Sequence, residues 1–182
     1  MNDNFRVSRD DLIYIFEQIE NREDKEQLRS ILADIIHDQF NNKEPQRVLF
    51  CGVDYQPIWH YLWQVCVIDG LLPSQWHTKN IQEAEMVDAC LQHMVCSGDD
   101  LRRKHIPHHI VFMADIDEMG LEAQEALGKA MDDKIYTTHM TETSVCMNDV
   151  CFIMTTKKSV HEMKREMHKR LIDPITNVWG AD

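Results

Sequence analysis

The 182-residue sequence has no G-x-x-x-x-G-K-[ST] motif, no C-x₂-C pair, no N-x-[ST] sequon, no long apolar run and no surplus of positive charge. Each absence removes a class of function. A net charge of −12 argues against broad binding to nucleic acid or to an anionic membrane, since both want a basic surface. The six cysteines (51, 66, 90, 96, 146 and 151) carry no zinc-finger or redox spacing. Several lie in apolar runs, Cys51 and Cys151 among them, and are expected as buried, reduced thiols. No stretch approaches the roughly 20 apolar residues that span a bilayer. The N-terminal MNDNFRVSRDDL also lacks the basic-then-apolar layout of a secretory signal. The expectation is a cytosolic protein, or an excised domain whose anchor lies elsewhere.

What is present is ordinary for a globular chain: 43% hydrophobic and 27% charged residues, enough to bury a core without disulfides. Residues Asp10–Gln39 show helical periodicity in two stripes, Leu12, Ile15, Phe16 and Ile19, then Leu28, Ile31, Leu32, Ile35 and Ile36. Ser8 and Asp11 resemble an N-terminal cap, and charged Asn21–Lys25 is expected to separate two helices. Arg47–Cys51 reads as a buried parallel strand. A helix over about Ile58–Ile68, with Pro57 in its first turn, directs Trp59, Leu62, Trp63, Cys66 and Val67 inward. An edge strand over Ser74–Lys79, a helix over Ile81–Val95 and a strand over Ile110–Ala114 follow. Next come a helix over Leu121–Met131, a hairpin-like or irregular Lys134–Val145 and a strand over Val150–Thr155. A capping box of Ser159 and Glu162 opens a last helix, which ends near Leu171 at Asp173-Pro174. Strands alternating with helices predict a three-layer α/β sandwich with a mostly parallel sheet. The chain reads as one domain over residues 1–182, with N-terminal helices in 1–45 and the α/β core in 46–182.

The region from Ile110 to Thr156 has the order a nucleotide-hydrolysing domain uses to hold a metal and sense a phosphate. An apolar strand ends in Asp115, Asp117 and Glu118, a helix follows, and a second strand ends in Thr155, Thr156 and Lys157. Acids after a strand also suit the N-terminus of the next helix through its dipole, the role expected here. The loop after Arg47–Cys51 is where phosphates should be cradled. It reads GVDYQPIW, with one glycine (Gly52), no Lys, Asp54 where negative charge is least welcome, and Pro57 without an N–H. No cofactor and no catalysis in cis are expected. His105, His108 and His109 lack a second ligand cluster, so no metal site is expected. Trp59, Trp63 and Trp76 read as core. Arg165 and Arg170 lie on the last helix, where cations complement the helix dipole; the sharper reading is an arginine offered to a neighbour's active site.

Two stretches, EALGKAMDDKIYTTHMTETSVCMNDVCFIMTTKK and DQFNNKEPQRVLFCG, resemble the AAA+ superfamily, and within it the Clp-like branch that includes torsins. The likeness spans roughly residues 25–173. The acidic motif aligns as Ala114-Asp115 or Asp115-Ile116 where an adjacent Asp-Glu is usual. Twelve residues follow Arg170, which leaves no room for a C-terminal helical lid. Degenerate loop and missing lid resemble the luminal domains of torsin-activating cofactors of the lamina-associated polypeptide type. That resemblance implies an AAA-like domain without nucleotide, a torsin-like AAA+ ATPase as partner, and Arg170 as an arginine finger in trans. HKRLIDPI places Arg170 at the family's position but lacks the family's preceding Trp. Residence in the endoplasmic reticulum lumen or perinuclear space, behind a membrane segment outside this chain, is implied as well. The alternative is a cytosolic pseudo-ATPase scaffold or adaptor of a Clp-like or replication-type AAA+ machine.

Overall fold

The computed structural model describes residues 22–41, 45–68, 70–102, 109–139 and 144–180. The elements are α1 (Arg22–Phe40), β1 (Arg47–Cys51), α2 (Tyr55–Ile68), β2 (Pro73–Trp76), α3 (Ala84–Arg102), β3 (His109–Met113), α4 (Leu121–Asp132), β4 (Ile135–Thr137), β5 (Ser144–Cys146), β6 (Val150–Thr156), α5 (Val160–Glu166), α6 (Lys169–Ile172) and β7 (Asn177–Trp179). Five strands form one sheet in the order β2-β3-β6-β1-β7, and each neighbouring pair runs parallel. Strands β4 and β5 form a separate antiparallel hairpin.

Both sheet faces are covered, so the inner strands are apolar through their middles, with polar residues only at their ends. Side chains of β1, β3 and β6 alternate between two cores. Leu49, Cys51, Val111, Met113, Phe152 and Met154 meet the layer of α3 to α6. Val48, Phe50, Ile110, Phe112, Cys151 and Ile153 meet α1 and α2 through Leu28, Leu32, Ile58 and Leu62. The result is the expected three-layer α/β sandwich. No helix among the described residues is long and apolar enough to cross a membrane.

The structure revises several local expectations. Within the described residues, 22–25 are helical as part of α1, in place of the expected separator between two helices; Asn21 lies outside the described residues. The stripe Leu12–Ile19 and the Ser8–Asp11 cap lie outside the described residues. Helix α2 starts at Tyr55, three residues early, because Asp54 caps it: the Gln56 N–H donates to Asp54 Oδ1 at 3.0 Å. Its inner face is Ile58, Tyr61, Leu62, Val65 and Cys66, while Trp63 is 43% and Val67 50% exposed. The buried stripe runs through positions 58, 61, 62, 65 and 66, and Trp63 and Val67 each lie one residue past it. Trp76 is buried, as expected of core.

Strand β2 ends at Trp76, and Thr78–Asn80 turns as a 3₁₀ helix. Helix α3 begins at Ala84 and extends to Arg102. The last helix is two helices, since Met167 takes an extended conformation and His168 recaps the chain at α6. The capping box of Ser159 and Glu162 is present at α5. Strand β7, only three residues and largely exposed, has no expected counterpart; it pairs with β1 at Val48–Phe50 and stacks Trp179 on Phe50. Cys51, Cys66 and Cys151 are buried, and burial pushes the Cys51 thiol up to about 12. Cys146, by contrast, is exposed. The Cys96 side chain, His105 and His108 lie outside the described residues.

Candidate functional site

Parallel strands end together, so the loops after β1, β2, β3 and β6 converge on one edge of the sheet. After β1, Gly52 adopts φ +73°, a left-handed turn that suits glycine. Its N–H donates to the Lys158 carbonyl at 2.9 Å, and the Val53 N–H to the Thr156 carbonyl at 3.3 Å. The Gln56 N–H is held by Asp54, and Pro57 has none. The loop therefore directs its donors into the protein, whereas a phosphate would need them free.

After β3 the chain enters a short 3₁₀ turn, Ile116–Glu118, through Asp115 at φ 50°, a conformation Asp tolerates better than most residues. The Asp115 N–H donates to Thr155 Oγ1 at 3.2 Å, and Asp115 Oδ2 lies 3.5 Å from Lys157 Nζ. Burial pushes the Asp115 carboxyl above the usual carboxylate range; Lys157 opposes this and Glu118 adds to it. The same pair holds the Lys157 ammonium above its ordinary value. The Thr156 hydroxyl donates to Asp117 Oδ1 at 2.5 Å, and Lys158 Nζ lies 3.8 Å from Asp117 Oδ2. Lys158 also contacts Glu166 Oε2 at 2.5 Å, and Lys79 sits 3.3 Å from Glu118. These acids do not cap α4, whose N-cap is Gly120 without a side-chain bond. They pair laterally with lysines because the 3₁₀ turn separates them from that helix.

The structure thus brings Gly52, Asp115, Asp117, Glu118, Thr155, Thr156 and Lys157 to one edge, next to Asp54 at the start of α2. A cavity of about 270 Å³ opens there, lined in part by Tyr55, Trp76, Asp115 and Glu118. Sequence reasoning missed Thr78, whose hydroxyl donates to the Ala114 carbonyl at 2.5 Å, and Lys158 with its link to Glu166. Neither carried a motif; only the doubled Lys157-Lys158 hinted at the second lysine. A hydrated magnesium ion with a phosphate does not fit these residues. The carboxylates face the chain's own lysines, and the β1 loop offers few outward N–H groups. No group of metal-ligating side chains occurs among the described residues.

The two arginines follow on the last two helices, and Arg165 is linked to this edge through Glu166 and Lys158. Arg165 lies in the last turn of α5 and pairs with Glu166 Oε1 at 2.6 Å. Arg170, on α6, is exposed, and its guanidinium has no acidic partner among the described residues. The backbone beneath it is braced. A Cβ at Gly128 of α4 would meet the Arg170 carbonyl oxygen at 2.1 Å, so α6 seats directly on a side-chain-free patch. Gln124, buried in α4, accepts the His168 N–H at 2.8 Å, and His168 Nδ1 accepts the Arg170 N–H at 3.3 Å.

No family model matches the sequence, and no curated protein matches it. Among solved structures, it is similar to the Thermotoga maritima RuvB Holliday junction branch migration motor. That match has 11% identity and a TM-score of 0.55, over 97% of this chain and 48% of that one. A second RuvB structure from the same organism gives 10% and 0.54, over 89% and 45%. A closed-state cryo-EM reconstruction of Hsp104 with ATPyS and FITC casein gives 10% and 0.53, over 75% and 28%. The chain spans less than half the length of each of these solved chains. At such identities the likeness concerns architecture, and it establishes that this chain has an AAA+-like fold.

Proposed function

We propose that this chain is a non-catalytic AAA+-like domain that binds a torsin-like AAA+ ATPase and activates it in trans, Arg170 serving as an arginine finger. The observation that carries the reading is a contrast between two parts of the molecule. At the carboxyl edge, Lys157 and Lys158 pair with the chain's own acids and the β1 loop turns its N–H groups inward. On α6, Arg170 has no acidic partner among the described residues and stands on backbone braced at Gly128. Arg165 is the second candidate, disfavoured by its pairing with Glu166. A trans-acting arginine stabilises charge on the transferring phosphoryl group and is worth about 10³–10⁵ in rate. Its forked geometry is one that lysine cannot copy.

The test is ATP turnover by a torsin-like ATPase at saturating concentrations of this domain. Arg170→Ala and Arg170→Lys should both abolish stimulation while complex formation survives. Full stimulation by Arg170→Ala would transfer the role to Arg165 or end the finger proposal. Calorimetry of the isolated chain with Mg-ATP should show no binding, and low-micromolar affinity would reinstate an ATPase.

The second reading is an adaptor of a Clp-like or replication-type AAA+ machine, using the domain only as an interface. It is favoured by five unbridged cysteines, Cys51, Cys66, Cys90, Cys146 and Cys151, which suit a reducing compartment. An adaptor leaves its partner's ATPase rate unchanged. The compartment follows the partner: endoplasmic reticulum lumen or perinuclear space for the activator, cytoplasm for the adaptor.

A further inference from the structure

We propose that residues 10–16 of this chain, which lie outside the described residues, dock on the outer flank of α2 and cover an apolar stripe there. Trp59, Trp63 and Val67 recur every four residues, so they share one side of the helix. Trp63 is 43% and Val67 50% exposed; Ile68 and Leu72, at 83% and 71%, follow at the helix end and in the turn into β2. Trp59 anchors the stripe to the core, its ring 5.2 Å from that of Phe112 and 5.9 Å from that of Trp63. Single exposed apolar side chains need no explanation, and Met86, Leu121, Ile135 and Val178 stand singly on four other elements. A contiguous stripe on one helix marks a surface that something covers.

Helix α1 occupies a different side of α2. Arg29 of α1 donates to Gln64 Oε1 at 3.1 Å and stands over the Tyr61 ring at 5.5 Å. At 3.6 residues per turn, Tyr61 and Gln64 lie about 130° round α2 from the line of Trp59, Trp63 and Val67. The chain itself supplies an occupant for that line. Leu12, Ile15 and Phe16 recur at helical spacing, in a segment too short to hold a helix in water without an apolar partner. Arg29, which touches α2, lies only about 10.5 Å along α1 from Arg22. From Phe16 to Arg22 the chain extends to about 20 Å, enough to cross a helix about 10–12 Å wide. Tethering places the segment at an effective concentration of about millimolar, so modest apolar contact suffices. Charge agrees: Asp10, Asp11 and Glu17 accompany the apolar residues, and α2 has no Asp or Glu to repel them. This surface belongs to the α1 and α2 layer, across the sheet from α6, so the inference does not depend on Arg170.

The test is hydrogen exchange on the full chain, read by mass spectrometry. In the wild type, the amides of residues 12–16 should exchange at least roughly tenfold more slowly than in a free peptide of the same sequence. Trp63→Ala and Val67→Ala, both at half-exposed positions, should each return that segment towards the peptide rate while β3 and β6 keep their protection. The reciprocal variant, Phe16→Ser, should make tryptophan fluorescence more readily quenched by acrylamide, and it supplies a second readout if an α2 variant fails to fold. Sedimentation at the same concentrations identifies the occupant. A monomer with a protected segment supports docking within the chain, whereas protection that appears only with dimer formation assigns the stripe to a second copy. Exchange at the peptide rate in the wild type, protection that survives both folded α2 variants, unchanged quenching in Phe16→Ser, or protection confined to dimers overturns the proposal.

Discussion

Replacing Gly128 with Ala tests how α6 is held. The added Cβ would lie 2.1 Å from the Arg170 carbonyl oxygen, 2.3 Å from its carbonyl carbon and 2.6 Å from the Leu171 nitrogen. All three are backbone atoms, so no side-chain rotation relieves the clash, and α6 must retreat by about 1.4 Å to regain ordinary contact near 3.5 Å. Overpacking of this kind costs about 1–3 kcal/mol, and the backbone clash puts this site at the upper end. Helix propensity offsets about 1 kcal/mol, because Ala is a better helix former than Gly. The net destabilisation is about 2 kcal/mol, which for a chain of this length lowers Tm by roughly 4–8 °C. Thermal unfolding followed by circular dichroism reads that shift, and Lys129→Ala, on the exposed side of the same helix, serves as the control. Hydrogen exchange adds a local readout: the His168 and Leu171 amides, bonded to Gln124 Oε1 and the His168 carbonyl, should exchange faster. An unchanged or raised Tm in Gly128→Ala would refute the seating of α6 on α4, and with it the bracing of Arg170.

Gln124→Ala removes both the acceptor for the His168 N–H and the donor to the Met119 carbonyl, at 2.8 and 2.9 Å, and leaves buried backbone groups unpaired. A loss of about 1–3 kcal/mol is expected in urea denaturation. Asp115→Asn should raise Tm at neutral pH. The folded carboxyl holds its proton above the ordinary Asp range, so its ionised form opposes folding, and the advantage of Asn should shrink as acidification protonates the wild-type group. Glu166 works in the opposite sense. Hydrogen bonds from Lys158 and Arg165 pull its carboxyl down to about 2, so its stabilisation is present above the ordinary Glu range and is lost as pH falls towards 2. Glu166→Gln should flatten that part of the acid-unfolding curve, and added salt should mimic it, because the pair is solvent-exposed.

The layered fold was legible because burial on both sides of a parallel sheet leaves a strong trace. RVLFC, the HIVFM run and VCFIMTT are too apolar to lie anywhere but between helices. Strand β7 was not legible, since Asn177, Val178 and Trp179 are held by pairing with β1 and only partly by burial. The break at Met167 was hidden for a related reason. Its neighbours have helical spacing, and the interruption comes from contacts that Gln124 and Gly128 make more than 35 residues upstream.

The sequence by itself determined that the loop after β1 is a poor phosphate cradle, because Gly52, Asp54 and Pro57 act through local chemistry: one glycine, one misplaced charge, one missing N–H. Order along the chain also determined that Asp115 and Asp117 follow one strand and that Thr155 and Thr156 end another, while the pairing of β3 with β6 made those strands neighbours. Only the tertiary structure decided what those groups do. It paired Asp115 with Lys157 and Asp117 with Thr156 and Lys158, and it turned the Gly52 and Val53 amides onto the end of β6. It also left one Asp115 oxygen unmatched beside a cavity. Such pairings depend on ångström-scale distances between segments about 40 to 100 residues apart, set by packing of the whole core, and no local pattern encodes them.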